Sequence, residues 1–198
     1  MTVCGYEISA TDLAAKLLKN KDFLNSNGGG VTFSGGEPLS QSDFILSVIP
    51  LLEGMHTAVE TSGYVPEADF IKAASAVDTV MIDVKLADSA RHEKYTGVKN
   101  DLILRNLSWL QNSGVRHVIR VPLIPGITDT YANLLAVAEI AGESAVELLP
   151  YNNLAGSKYD SAGVEFILPR EIASLRESES ERVAYGDIAR MFTNARVM

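Results

Sequence analysis

The sequence predicts an α/β protein built on parallel strands. Helix-like and strand-like segments alternate along most of its 198 residues. Such alternation pairs neighbouring strands in parallel through right-handed crossovers. Near-continuous apolar runs such as Thr79-Val80-Met81-Ile82 suit strands covered by helices on one face and by a core on the other. Both a partial barrel and an open doubly wound sheet satisfy this pattern.

The elements follow in order. Residues 9–24 carry Leu13, Ala14, Leu17 and Leu18 at helical spacing, with Ser9 or Thr11 as cap. Residues 31–34 form a short strand. Residues 43–52 read as a helix, with Ser40 or Ser42 as cap. Residues 57–61 are a strand, and 66–76 a helix with proline in its first turn. Residues 79–84 are a strand. Residues 101–112 are a helix ended by Gly114, and 115–121 a strand. Residues 129–140 are a helix ended by Gly142, and 146–149 a fifth strand. The last 30 residues carry the weakest pattern.

Composition narrows the class. A chain of 198 residues, 46% of them hydrophobic, suits a single domain spanning 1–198. No apolar run reaches the ~18 residues of a membrane span, and no secretory signal precedes residue 9. A formal charge of −8, from 25 acidic and 17 basic residues, argues against nucleic-acid binding, which needs clustered cations. The segment from Arg176 to Arg182 reads as a solvated charged face. One cysteine, Cys4, allows no internal disulfide and reads as an inert thiol. These features point to a cytoplasmic protein.

Each predicted strand runs into polar residues. The first gives Ser34-Gly35-Gly36-Glu37, the second Glu60-Thr61-Ser62-Gly63 and the third Asp83-Val84-Lys85. The fourth gives Arg120 and the fifth Tyr151-Asn152. Polar residues at the C-terminal ends of parallel strands converge on one site in barrel-like folds. Glycines there let a ligand lie against bare backbone. Glu37 suits an ammonium, and Arg120 and Lys85 suit a carboxylate. Together they suit a zwitterionic ligand. Glu60 and Asp83 need a cation, either Lys85 or a bound metal. As structural alternatives, Asp83 and Lys85 form an ion pair, and Arg120 caps a helix or pairs with Glu60. His56 and His117 flank strands and read as structural. His92 reads as structural or as a substrate contact.

The string Gly35-Gly36-Glu37-Pro38 after a strand resembles the methionine-amine-binding motif of radical S-adenosylmethionine enzymes. Three further strings resemble one branch of that family, the activating enzymes of glycyl radical enzymes such as pyruvate formate-lyase. They are residues 88–100, from Asp88 through His92 and Gly97 to Asn100, then Ile103-Leu104-Arg105-Asn106, and residues 121–129 around Pro125-Gly126.

The resemblance implies a partial (β/α) barrel of the radical-SAM type. It implies that Ser34, Gly35, Gly36 and Glu37 meet the methionine amine and that Lys85 and Arg120 lie near the carboxylate. Asn152 stands where many members have histidine. Glu60, Thr61 and Asp83 fall where a monovalent cation is held. The implied cofactors are S-adenosylmethionine and a [4Fe-4S] cluster. The implied reaction is reductive cleavage to a 5′-deoxyadenosyl radical that takes hydrogen from a glycine of a partner enzyme. A flavodoxin or ferredoxin-type protein would supply the electron.

The family's Cys-x-x-x-Cys-x-x-Cys loop is not in these 198 residues, and one thiolate cannot hold the cluster. The expectation is an N-terminally truncated member that lacks the first strand and cluster loop and is inactive alone. Residues 31–34 would then form an edge strand that self-associates or is covered by the N-terminal helix or residues 1–8. The alternatives are a degenerate or fragmentary S-adenosylmethionine-binding module without redox activity, and, more remotely, a barrel enzyme for a phosphorylated metabolite. The glycine-rich stretch lacks the Gly-Lys-Ser/Thr ending of a phosphate loop.

Overall fold

The computed structural model describes residues 5–151 and 185–198. Six strands form one parallel sheet in the order β1-β2-β3-β4-β5-β6. They are β1 Gly30–Phe33, β2 His56–Thr61, β3 Thr79–Asp83, β4 His117–Leu123, β5 Ala145–Pro150 and β6 Ala195–Val197. Every neighbouring pair is parallel. Crossovers of one hand between sequential neighbours put every connecting helix on the same face. A doubly wound sheet instead reverses its strand order at a switch point. This order therefore resolves the ambiguity in favour of the barrel-like arrangement.

The helices are α1 Ala10–Leu18, α2 Lys21–Ser26, α3 Ser42–Val48, α4 Glu67–Ala74, α5 Ser89–Thr96, α6 Asp101–Asn112, α7 Tyr131–Ala141 and α8 Tyr185–Ala189. Ser9 caps α1 by accepting the Asp12 N–H. The single helix expected over 9–24 is two helices, broken at Lys19 and Asn20. The helix expected over 43–52 ends at Val48 and continues as a 3-10 turn, Ile49–Leu51, with Pro50 in its first turn. Neither Ser40 nor Ser42 caps it: Gln41 holds that position and makes no side-chain cap bond. The helix over 101–112 has its expected bounds. Strand β6 and helices α5 and α8 carried too little apolar periodicity to be read.

Burial splits the sheet by face. Val59, Val80, Ile82, Ile119, Val121, Val146 and Leu148 point to the helices and are almost completely buried. They pack with Phe70, Leu107, Leu110, Leu134 and Val137 from α4, α6 and α7. The alternate residues point the other way and most are only partly covered, as the pattern along β3 shows, although Ala58 and Glu147 are buried. The second core layer expected from the apolar runs is thus incomplete among the described residues. Strand β1 is an edge of the sheet, as expected. Its Val31 packs with Ala14, Val48, Leu52 and Met55. Tyr6, Glu7 and Ile8 line a hollow shared with Phe33 and Ser34 at its end.

Buried amides tie the loops at the strands' C-terminal ends. Asn106, fully buried on α6, donates to the carbonyls of Gly63 and Val65. Asn100 donates to Leu86 and Ala87, and Asn133 donates to Lys85 and Thr128 while accepting from the Ala87 N–H. Asn106→Leu should strand two buried carbonyls and cost about 1–3 kcal/mol each. Urea unfolding should show the loss, and native-state hydrogen exchange should show faster opening at residues 63–65.

At the opposite end of the sheet Asp78 accepts from the Thr57 N–H at 2.7 Å and the Thr57 hydroxyl at 2.9 Å. The Thr57 backbone bond, its hydroxyl and nearby His56 hold the Asp78 carboxyl below its ordinary 3.8, against an opposing effect of burial. A lowered folded value contributes stability that is present above 3.8 and lost as pH falls through the folded value. Unfolding midpoints measured from about pH 5 down to about pH 3 should therefore fall more steeply for the wild type than for Asp78→Asn.

Candidate functional site

The residues that follow β1 form a turn fastened to β2. Ser34 donates to the Glu60 carboxylate at 3.3 Å. Glu37 reaches across to the end of β2, where its Oε1 accepts from the Thr61 hydroxyl at 2.7 Å. Its Oε2 accepts from the Ser62 N–H at 2.9 Å and the Ser62 hydroxyl at 2.5 Å. Oε1 also accepts from the Leu39 N–H at 3.1 Å, which starts the 3-10 turn Pro38–Gln41. Gly35 sits at φ 132°, a region that only glycine enters freely. Gly36 is not at positive φ, and a Cβ built on it would meet nothing within 4 Å. The fold therefore gives no reason for glycine at position 36.

On the partly covered face the register aligns charges across four strands. Asp83 pairs with Arg120, Arg120 with Glu147 and Glu147 with Arg196. Laterally paired residues in a sheet share a face, so this row alternates in sign. Arg120 Nη1 binds Glu60, and its Nε lies 4.0 Å from Glu147. That Nε is buried without a hydrogen-bond partner. Arg196 binds the other oxygen of Glu147. Lys85 binds Asp83 at 2.9 Å. Three carboxylates and three cations thus share one surface.

Most of the expected site residues meet here. Ser34, Gly35, Gly36 and Glu37 lie beyond the end of β1, and Asp83 and Lys85 lie at the end of β3. Glu60 is the penultimate residue of β2, with Thr61 after it. Arg120 is not at a strand end: β4 runs three residues beyond it, so it stands mid-strand, level with Asp83. The alternative pairing of Arg120 with Glu60 is present, as is the Asp83–Lys85 pair. Thr61 is buried, and its hydroxyl serves Glu37 and the Gly63 N–H. Among the described residues no group of three or more His, Cys, Asp or Glu gathers around a metal position. Asn152, Cys4 and the segment 176–182 lie outside the described residues.

The histidines are tied into the scaffold. His56 and His117 begin β2 and β4, at the end of the sheet away from Glu37, and bond Thr79 and Ser144. Buried His92 uses Nδ1 for the Val98 carbonyl and the Thr96 hydroxyl, closing the end of α5. Sequence reasoning passed over Glu147 and Arg196, and gave Ser62 no role beyond its place in the polar run after β2. Glu147 did leave a signal, as a lone acid inside the apolar strand Ala145–Pro150. At Asp129 burial raises the carboxyl above its ordinary value, against the opposing Gly126 N–H bond.

Comparison with known proteins identifies relatives of the chain. The model of the radical SAM superfamily matches residues 3–137. The chain is 39% identical over 166 residues to the trans-4-hydroxy-L-proline dehydratase activating enzyme of Clostridioides difficile, covering 80% of this chain and 55% of that protein. It is 35% identical over 192 residues to the choline trimethylamine-lyase activating enzyme of Oleidesulfovibrio alaskensis, covering 92% and 62%. With the pyruvate formate-lyase-activating enzyme of Clostridium pasteurianum it shares 32% identity over 185 residues, 90% of this chain and 77% of that one. The chain thus spans between about half and two thirds of the first two relatives. A crystal structure of a domain of pyruvate-formate lyase-activating enzyme from Bacteroides vulgatus superposes with a TM-score of 0.62 at 25% identity, covering 86% of this chain and 99% of that one. Streptococcus suis SuiB bound to S-adenosylmethionine superposes at 0.67, over all of this chain and 45% of that one. Its 15% identity bears on fold alone. Matched over more than half its length by the superfamily model, and by activating enzymes of glycyl radical enzymes over most of it, the chain belongs to the radical SAM superfamily, in the branch of those activating enzymes.

Proposed function

We propose that this chain binds S-adenosylmethionine on the charged face, as the core of an activating enzyme for a glycyl radical enzyme. The observation that carries the reading is Gly36. Glycine there serves neither backbone conformation nor packing, so its bare backbone is left as a surface for a ligand. The neighbouring charges suit a zwitterion. The turn from Ser34 to Glu37 faces the methionine ammonium. Lys85 and Arg120 serve the carboxylate, and Asn152 completes the set. Glu60, Thr61 and Asp83 are the proposed monovalent-cation position. None of these groups acts as a general base, because taking a hydrogen atom with a radical needs none. The chain's part is to bind and orient the cofactor and to exclude water from it.

In a protein that holds it, a [4Fe-4S] cluster supplies the electron for cleavage of S-adenosylmethionine. The single cysteine in these residues does not fit such a cluster. The 198 residues alone are accordingly proposed to bind without performing the redox step. The partner is proposed to be a glycyl radical enzyme, and the reductant of the complete system a flavodoxin or ferredoxin-type protein. A cytoplasmic location fits this chemistry. No helix among the described residues is long and apolar enough to cross a membrane.

Gly36→Ala tests the binding surface. The variant should fold with an unchanged circular dichroism spectrum and lose about tenfold or more in S-adenosylmethionine affinity by calorimetry, the scale of steric overpacking. Binding equal to wild type would place the ligand elsewhere. Anaerobic reconstitution with iron and sulfide tests the redox half. The chain should retain no stoichiometric iron and show no low-potential reduced EPR signal. A full cluster would overturn the assignment of these residues as a binding core alone.

A further inference from the structure

We propose that Arg196, on the last strand, is a positioning residue that acts through Glu147 and keeps the Arg120 guanidinium available to a ligand's carboxylate. The inference rests on the binding face proposed above, where Arg120 serves that carboxylate, and goes further by naming what holds Arg120 ready. Arg120 stands between two acids. Its Nη1 binds Glu60, and its Nε lies 4.0 Å from Glu147 Oε2. At that separation the second contact is an ion pair without a hydrogen bond, and the Nε is buried with no partner. Glu147 is only 6% exposed. A buried carboxylate is costly unless it is paired, so Glu147 alone would draw Arg120 in. A movement of about 1 Å would bring the Nε to hydrogen-bond distance. Arg196 binds the other carboxylate oxygen, Oε1, from the opposite neighbouring strand. Glu147 is thereby compensated without closing on Arg120.

The place of Arg196 is set by backbone and core, not by its own ion pair. Register puts it beside Glu147. The Val146 N–H donates to the Asn194 carbonyl at 2.8 Å and the Met198 N–H to the Leu148 carbonyl at 3.1 Å, one bond on either side of Arg196. Ile188 and Phe192, both buried in the main core, anchor the chain just ahead of β6. The Arg196 side chain itself is 67% exposed, against 8% for Glu147. A guanidinium that exposed is solvated at little cost when it has no partner, so the pair serves the acid rather than the arginine. Without Arg196, the cation level with Glu147 in the register is Arg120. The ligand would then compete with a buried carboxylate for the same guanidinium.

Four variants separate positioning from a merely structural ion pair: Arg196→Ala, Arg196→Lys, Glu147→Gln and the double variant Glu147→Gln/Arg196→Ala. The Arg120 Nε–H is followed by NMR without ligand, its resonance assigned by its loss in Arg120→Lys. S-adenosylmethionine affinity is measured by calorimetry. In Arg196→Ala the Nε–H resonance should move downfield as Glu147 accepts it. Affinity should fall about tenfold, the scale of one hydrogen bond to a charged group. Arg196→Lys should leave both at wild-type values. Glu147→Gln should bind at least as tightly as wild type, and adding Arg196→Ala to it should change neither reading. A lower unfolding midpoint in Arg196→Ala, with wild-type resonance and affinity, would show a structural pair and overturn the proposal. An equal loss of affinity from Arg196→Ala in the Glu147→Gln background would overturn it too, because Arg196 would then act without Glu147. Weaker binding in Glu147→Gln, where no acid competes for Arg120, overturns it whether or not Arg196→Ala folds. Failure of the wild type to bind S-adenosylmethionine would instead remove the proposed ligand, while the Nε–H resonance still decides what Arg196 does to Arg120.

Discussion

The constraint that organises this molecule is the parallel register of a sheet wound in one direction. Each strand pairs with the next in sequence, so laterally paired residues share a face and all crossovers lie on the other. One face can then be apolar throughout, while the opposite face carries charged groups in rows. Asp83, Arg120, Glu147 and Arg196 occupy one such row because single-residue register puts them side by side. A slip of one residue in any pair would turn a charge into the helix-covered core, where it has no partner. Apolar packing by Val80, Ile119 and Val146 thus secures the position of ions that it never touches.

Rigidity at the functional end comes from side-chain amides more than from apolar contacts. Asn106 holds the loop after β2, and Asn100 and Asn133 hold the loop after β3. Thr128 bonds the Ile124 N–H and the Pro122 carbonyl after β4. Loops carry backbone groups that no sheet or helix satisfies. Short amides on neighbouring helices satisfy them without placing a charge in the interior. The strand ends are thereby fixed from the helix side.

Much of the fold was legible in the sequence. The helix over Asp101–Asn112 has a periodic apolar stripe, and β2 to β5 are apolar runs bounded by turn residues. Helix α5 was not legible because Ser89–Thr96 is polar nearly all round, and its order depends on the Asp88 cap and on buried His92. Strand β6 is three residues long and exists by pairing with β5. The site was legible where glycine and charge cluster in sequence, as at 34–37 and 83–85. It was not legible where partners come from distant strands. The Glu147–Arg196 contact spans 49 positions, and no local pattern announces it.

The row of alternating charges is close to neutral as a whole, with Glu60, Asp83 and Glu147 set against Lys85, Arg120 and Arg196. Its long-range field is therefore weak, although its short-range field changes sign every few ångströms. The chain as a whole carries a formal charge of −8. A free anion approaching this surface meets repulsion at a distance and no net attraction close by. A molecule whose positive and negative groups match the spacing of the row meets attraction only once it has arrived. Discrimination by this face would rest on internal charge separation in a ligand, and salt, which screens over about 8–10 Å, would act mainly on the repulsion from the net charge of the chain.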